Sequence, residues 1–437
     1  MTSPLLRNPT VNVMLALLLA CGMWFYVQRI LIPHQIVDAA AHDHPRGNLS
    51  DLYPRWLGAR ELLLHGRDPY RPDITSEIQR GYYGRAIDRS RAGDPQDQQA
   101  FAYPVYIIFL LAPFVNLPFS EVSKGFFWFL WIVSACSILL WLRALRWKAA
   151  TSIVSILLLL SLSSFQFIEG VKLEQFTLLI AALVAACALL LVNDKFAVAG
   201  VVLGFATIKP QLVVPLGAWL TLWSVSDWRQ RKAFVWGFSG TVGILFAAGE
   251  WALPGWPKEF LRAVVAYRQY THAASLLDGL TNDKWGPMLA GVFVLITGAV
   301  CGRLRHEPAQ SPRFVWIFAL VLAVTLLTIP TVSVYNQVLL LPAVLILARH
   351  ARRIWSENRL ARIVWVLAAT AILWPWAAAL CLTIASFILP AARVQQAWAL
   401  PFYTSIAIPF AVFGLLIQYA FQILPSNRSS PVPAELP

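Results

Sequence analysis

The feature that most constrains this chain is its series of apolar runs, most of them near bilayer-crossing length, separated by short polar loops. A helix needs about 20 mainly apolar residues to cross a hydrocarbon core of roughly 30 Å. Such runs fall at about 11–32, 125–142, 150–168, 175–192, 196–223, 233–253, 285–302, 314–330, 335–349, 363–389 and 401–421. The run 196–223 is interrupted by Lys209-Pro210. A residue before proline is pushed out of helical geometry, so this run reads as two tight crossings with Lys209 at their turn. The expectation is an all-α polytopic membrane protein with about twelve crossings. The stretch Tyr103–Phe119 carries Pro104, Pro113 and Pro118. It reads as a re-entrant or interfacial helix, tolerated where protein or water satisfies its backbone.

The net charge of +13 raises a nucleic-acid reading, which the distribution of charge excludes. Basic residues sit in short clusters between apolar runs: Arg143, Arg146 and Lys148; Arg229, Arg231 and Lys232; Arg303, Arg305 and Arg313; Arg349, Arg352, Arg353, Arg359 and Arg362. With twelve crossings and both termini cytoplasmic, all these loops fall on one side, as the positive-inside rule requires. Residues 1–424 then form one membrane domain, with 33–100 as an outward loop. The tail 425–437 reads as disordered and cytoplasmic. No small-residue cleavage site follows the first run, which therefore reads as a retained span. The five cysteines form no CxxC or Cys/His cluster, so neither disulfides nor zinc is indicated. Most of the 19 tryptophans read as interfacial anchors.

The segment 33–100 holds ten of the 22 acidic residues and nine of the 35 basic ones. Within it, Leu49–Tyr70 is an amphipathic island. Pro54 suits a first helical position and Gly66 a left-handed stop. The expected helix, about Pro54–His65, carries Leu52, Trp56, Ala59 and Leu63 on one face and could lie on a bilayer surface. Arg55, Arg60 and Glu61 face elsewhere. Gly81–Gln99 reads as mobile.

In this topology the unusual polar residues gather on the outer side: Asp51, Arg55, Asp68, Glu169, Lys172, Glu174, Gln175 and Lys209. Arg268, His272, Asp278, Asn282, Asp283 and Lys284 join them, with Tyr335, Asn336 and Gln337. Ionisable groups at membrane depth are costly and default to functional candidates. Plainer roles exist: Arg55 and Lys172 as snorkelling anchors, Asp51 as a solvated loop carboxylate, His272 as a surface histidine. Lys209, in GFATIKPQLVVP, is the hardest to explain that way. No GxSxG, HExxH or GxxxxGK[ST] motif occurs, which removes those soluble chemistries. What remains is an outward carboxylate with cationic companions. Cations would hold a phosphate, and a carboxylate would take a proton from an acceptor hydroxyl.

Four features in order then carry a family resemblance: an N-terminal span; Asp51 followed by Ala-Arg-x-Leu-Leu-x-x-Gly-x-x-Pro-Tyr over Ala59–Tyr70; Phe101-Ala-Tyr-Pro; and Gly204 to Lys209-Pro210. The chain resembles the integral membrane glycosyltransferases of family 87, similar to mycobacterial α-mannosyltransferases that use polyprenyl-phosphate mannose. The resemblance covers roughly residues 10–420. It implies a GT-C-like bundle, a polyprenyl-phosphate sugar donor, Asp51 as base and Lys209 as a ligand of the donor phosphate. Arg55, Asp68, Gln175, Lys172, His272 and Ser275 are further candidates for substrate binding. The acceptor would be a glycolipid or glycan on the outer face of an inner membrane. No metal motif occurs, though Asp51 and Asp68 could share a divalent cation.

The chain departs from the family pattern in three places. Tyr103-Pro104-Val105 stands for Tyr-Pro-Pro. Glu174-Gln175-Phe176-Thr177 stands for Gly-Gln-x-Asn, and a late His is replaced near Asn336-Gln337. These bear on sugar and acceptor more than on reaction class. A polyprenyl-linked glycan transporter or flippase is the competing reading and should show paired broken helices; only Lys209-Pro210 marks such a break. A non-catalytic scaffold would not need one-sided ionisable residues.

Overall fold

The structure, a computed structural model, describes residues 8–41, 50–88, 90–91, 93–272, 274–281, 284–330 and 333–424. Asn282, Asp283 and the 425–437 tail lie outside them. Helix accounts for 79% of the structure, and no strand occurs among the described residues.

The chain opens with α1 (Pro9–Ala41), which runs on well past residue 32 and holds one π-helical turn, Val27–Leu31. The segment after it carries α2 (Leu52–His65) and α3 (Pro72–Tyr83). A short α4 (Ile107–Leu111) takes the place of the expected re-entrant piece. Then come α5 (Phe119–Ala144), α6 (Thr151–Leu162), α7 (Phe165–Lys172), α8 (Phe176–Val192), α9 (Phe196–Phe205) and α10 (Pro210–Val225). Next are α11 (Trp228–Ala252), α12 (Trp256–Thr271), α13 (Leu276–Leu280), α14 (Trp285–Arg303) and α15 (Pro312–Thr328). The chain closes with α16 (Leu341–Arg349), α17 (Ala351–Glu357), α18 (Arg359–Ala385), α19 (Ala391–Gln396) and α20 (Ala407–Ile423).

Among the described residues, six helices are long and apolar enough to cross a membrane, or eight if two bent pairs each count as one span, so this is a multi-pass membrane protein. That falls short of twelve. The other predicted crossings, over α8, α9, α10 and α15, are apolar helices of 10–17 residues. The predicted 150–168 span bends by 51° between α6 and α7. The cause is local: Ser164 caps α7 by accepting from the Phe167 amide, and the Ser163 hydroxyl bonds back to the Leu159 carbonyl at 2.7 Å. Serine side chains compete with helical backbone bonds in this way.

The basic loops meet at one end of the bundle. Arg349 reaches the Leu145 carbonyl at 2.5 Å, Arg231 the Arg305 carbonyl at 3.3 Å, and Arg313 the Ile423 carbonyl at 2.9 Å.

The 33–100 segment differs from its sequence reading. Helix α2 ends at Gly66 with φ +65°, as expected. It packs into the protein rather than lying free on a surface: Leu52 and Ala59 are fully buried beside Phe101 and Ile107. Leu63 is exposed and Leu62 is buried instead, while Glu61, expected off the apolar face, is buried and paired with Arg67 at 2.8 Å. The Gly81–Gln99 stretch is tied down at its described residues. Arg85 forks onto Asp94 at 2.5 and 2.7 Å, and the Tyr83 hydroxyl donates to the Asp97 carbonyl at 2.8 Å.

Candidate active site

Asp51 stands at the start of α2, and its side chain makes no capping bond to that helix. Its amide donates to the Leu173 carbonyl at 3.1 Å, docking the start of α2 onto the α7–α8 turn. The carboxylate is left to side chains. Gln175 Nε2 donates to Asp51 Oδ2, and the Tyr82 hydroxyl approaches Oδ1 at 3.5 Å.

Lys209 reaches the same amide from the other side. After a 3₁₀ turn, Ala206–Ile208, its backbone leaves helical geometry at φ −117°, ψ 80°, and Pro210 then starts α10. This turn buries the lysine. Its Nζ donates to Gln175 Oε1 at 2.7 Å and to Thr177 Oγ1 at 2.9 Å. Thr177 in turn donates to Asn336 Oδ1 at 2.9 Å. The Gln175 amide thus has its NH₂ on the anion and its carbonyl on the cation, and the charges fix its orientation. No ion pair joins Asp51 directly to Lys209 among the described residues.

Arg55 lies one turn into α2. It donates to the Asp51 carbonyl at 2.5 Å and stands 4.6 Å over the Tyr103 ring. Lys209 Nζ is 5.0 Å from the Tyr335 ring centre and 5.9 Å from that of Tyr103. Aromatic faces attract desolvated cations. Burial, with some help from the like charge of Arg55 and against Asp51, pushes the Lys209 ammonium down to about 7.

These groups line a cavity of about 290 Å³. The amphipathic α12 closes one side with Phe260, Leu261 and Val264, then adds Tyr267 and Arg268. The cavity joins an apolar wall to a cationic and carboxylate floor, which suits an amphiphile with a phosphate.

Of the sequence candidates, Asp51, Arg55, Gln175 and Lys209 come together here. Four do not line this cavity. Asp68 accepts from the Tyr70 amide at 2.9 Å and forms a turn, so its binding role and its sharing of a cation with Asp51 have no geometric support. Lys172 pairs with Glu169 at 2.8 Å and with Gln35 at 3.1 Å. Ser275 caps α13 in a reciprocal box with Asp278. His272 is exposed at the end of α12 with φ +48°. Both His272 and Ser275 line a neighbouring cavity of about 410 Å³, which shares Tyr267 and Ser333 with the first. Among the described residues, no group of three or more His, Cys, Asp or Glu could hold a metal ion.

Sequence reasoning missed Tyr103 as a cation platform, Thr177 as the second lysine acceptor, and Asp97, Gln99 and Gln211 in the lining. The Gln211 signal was present: an amide directly after Lys209-Pro210 in an otherwise apolar run.

The model of glycosyltransferase family 87 matches residues 101–337, more than half of the chain. The chain belongs to glycosyltransferase family 87. No curated protein and no solved structure matches it. The part matched to family 87 supplies Tyr103, Gln175, Thr177, Lys209, Tyr267 and Asn336. Asp51 and Arg55 precede it, and the fold lays them onto it through the Asp51–Leu173 and Asp51–Gln175 bonds. As a family 87 glycosyltransferase, the protein works on a sugar donor and an acceptor.

Proposed function

We propose that this protein transfers a sugar, mannose or a similar hexose, from a polyprenyl-phosphate donor to a glycolipid or glycan acceptor on the outer face of an inner membrane. The observation that carries this reading is the Asp51 carboxylate and Lys209 ammonium meeting in one cavity on opposite ends of the Gln175 amide. Lys209, with Arg55 and Arg268 on the same cavity, would hold the donor phosphate through charge-assisted bonds. The isoprenoid chain would leave along Phe260, Leu261 and Val264. The acceptor oxygen attacks the anomeric carbon while the carbon–oxygen bond to phosphate breaks. The acceptor proton passes to Asp51, and polyprenyl phosphate leaves with the bonding electron pair. Direct displacement inverts the anomeric centre. The full topology that accompanies this reading is a GT-C-like domain over 1–424 with about twelve crossings and the basic loops cytoplasmic.

The test is purified protein in lipid nanodiscs, given labelled polyprenyl-phosphate sugar and a glycolipid extract. Transfer of label to the acceptor, with release of polyprenyl phosphate, is expected. Donor movement across a vesicle bilayer with no transfer would instead establish the flippase reading.

A further inference from the structure

Glu174 is a carboxylate with no part in the chemistry above, yet it is only 5% exposed. It lies in the α7–α8 turn, between Leu173, whose carbonyl receives the Asp51 amide, and Gln175, whose side chain touches both Asp51 and Lys209. Its two oxygens reach two other parts of the chain. Oε2 accepts from the Ser50 hydroxyl at 2.5 Å, and Oε1 accepts from the hydroxyl of Ser123, five residues into α5. No cation pairs with it among the described residues. Burial raises its pKa, opposed by the two serine bonds.

The backbone makes the choice of residue more telling. Glu174 has φ +50°, in the left-handed region. That region favours glycine and disfavours residues with a Cβ. A side chain kept in such a conformation, buried and next to a working site, points to a function for the side chain itself.

We infer that Glu174 is a positioning residue, a clamp that fixes the Ser50–Asp51 step against the Gln175–Lys209 pair and so sets where the base stands. The inference rests on the proposed function. Without the clamp, the start of α2 keeps the Asp51–Leu173 backbone bond but loses the side-chain anchor one residue earlier. Catalytic geometry is sensitive on this scale, since a misplacement of about 1 Å can cost about a hundredfold in rate.

Two variants separate a clamp from filler and from a base. Glu174→Gly suits the left-handed backbone and removes the carboxylate. Its thermal stability should hold or rise, while kcat falls about 10- to 100-fold on that scale, with donor KM changed by less than about threefold. Glu174→Gln keeps one acceptor for one serine and one donor for the other, so it should restore most of kcat, as a base could not. Wild-type kcat in Glu174→Gly would overturn the clamp. So would an inactive Glu174→Gln beside an active Asp51→Asn, which would make Glu174 the base. A readout independent of activity is amide hydrogen exchange over residues 50–56. Exchange there should rise in Glu174→Gly and stay at the wild-type level in Glu174→Gln. Unchanged exchange in Glu174→Gly would overturn the clamp whatever the donor proves to be. Absence of transfer by the wild-type protein would count against the proposed function alone.

Discussion

Along α15, Phe314, Ile317, Leu322 and Ala323 are fully or almost fully buried, and the helix's own polar side chains Trp316, Thr325 and Thr328 bond to backbone carbonyls. The Thr325 hydroxyl bonds back to the Val321 carbonyl at 2.7 Å, and Trp316 Nε1 donates to the Leu416 carbonyl at 2.9 Å. Around Asp51 the pattern is reversed. Side chains there bond to side chains far away in sequence: Ser50 to Glu174, Gln175 to Asp51, Lys209 to Gln175 and Thr177 to Asn336. The first region is held by packing, which many apolar residues can supply. The second depends on particular partners, each satisfying a buried polar group that would be costly alone. Loss of a residue in the first should therefore appear as stability, and in the second as chemistry.

Asp51→Asn is the sharpest way to break this contrast. It keeps the oxygen that accepts from Gln175 but removes the basicity, and turnover should fall by about 10²–10⁴-fold with thermal stability unchanged. Near-normal label transfer by the purified variant would take Asp51 out of the mechanism. Leu322→Ala tests the other side. Truncating a fully buried leucine costs about 2–5 kcal/mol in well-packed cores, while turnover per folded molecule should stay at the wild-type level. A detergent-solubilised melting curve with parallel kinetics reads both.

The third prediction concerns Lys209. Its ordinary pKa is lowered to about 7, so it is charged below that value and loses its proton as pH rises through it. If the charged form binds the donor phosphate, affinity should weaken about fivefold from pH 7 to pH 8, as protonation linkage requires. Lys209→Arg should flatten that dependence, because a guanidinium stays charged. A titration with polyprenyl phosphate, with polyprenol as a neutral control, decides it. The smallest effect is expected from Asp68→Asn, which keeps the turn to Tyr70 and should leave turnover within about twofold, since surface changes are usually near neutral.

What was legible in the sequence follows the same division. Apolar periodicity and proline marked most helices, because a bilayer imposes length and leaves little choice of structure. Lys209 stood out as a lone cation in an apolar run, whereas Asp51 and Gln175 were marked by their outward position and by the family resemblance. Tyr103 and Thr177 did not stand out, because an aromatic ring and a threonine are ordinary in membrane helices and loops. Their roles arise only when segments over 30 residues apart meet. The bend at Ser163-Ser164 and the burial of Glu61 were hidden for a similar reason. Each depends on a local hydrogen bond or a partner that spacing does not specify.

The Gln175 amide separates two opposite charges that would otherwise neutralise each other. In the proposed reaction, a direct Asp51–Lys209 contact would stabilise the resting protein and leave a weaker base and an occupied phosphate ligand. The neutral amide holds both at hydrogen-bonding distance while denying them contact, acting as an insulator between the poles of the site. Replacing it with a smaller side chain would let the poles touch, and the enzyme would be quieter because its charges had found each other.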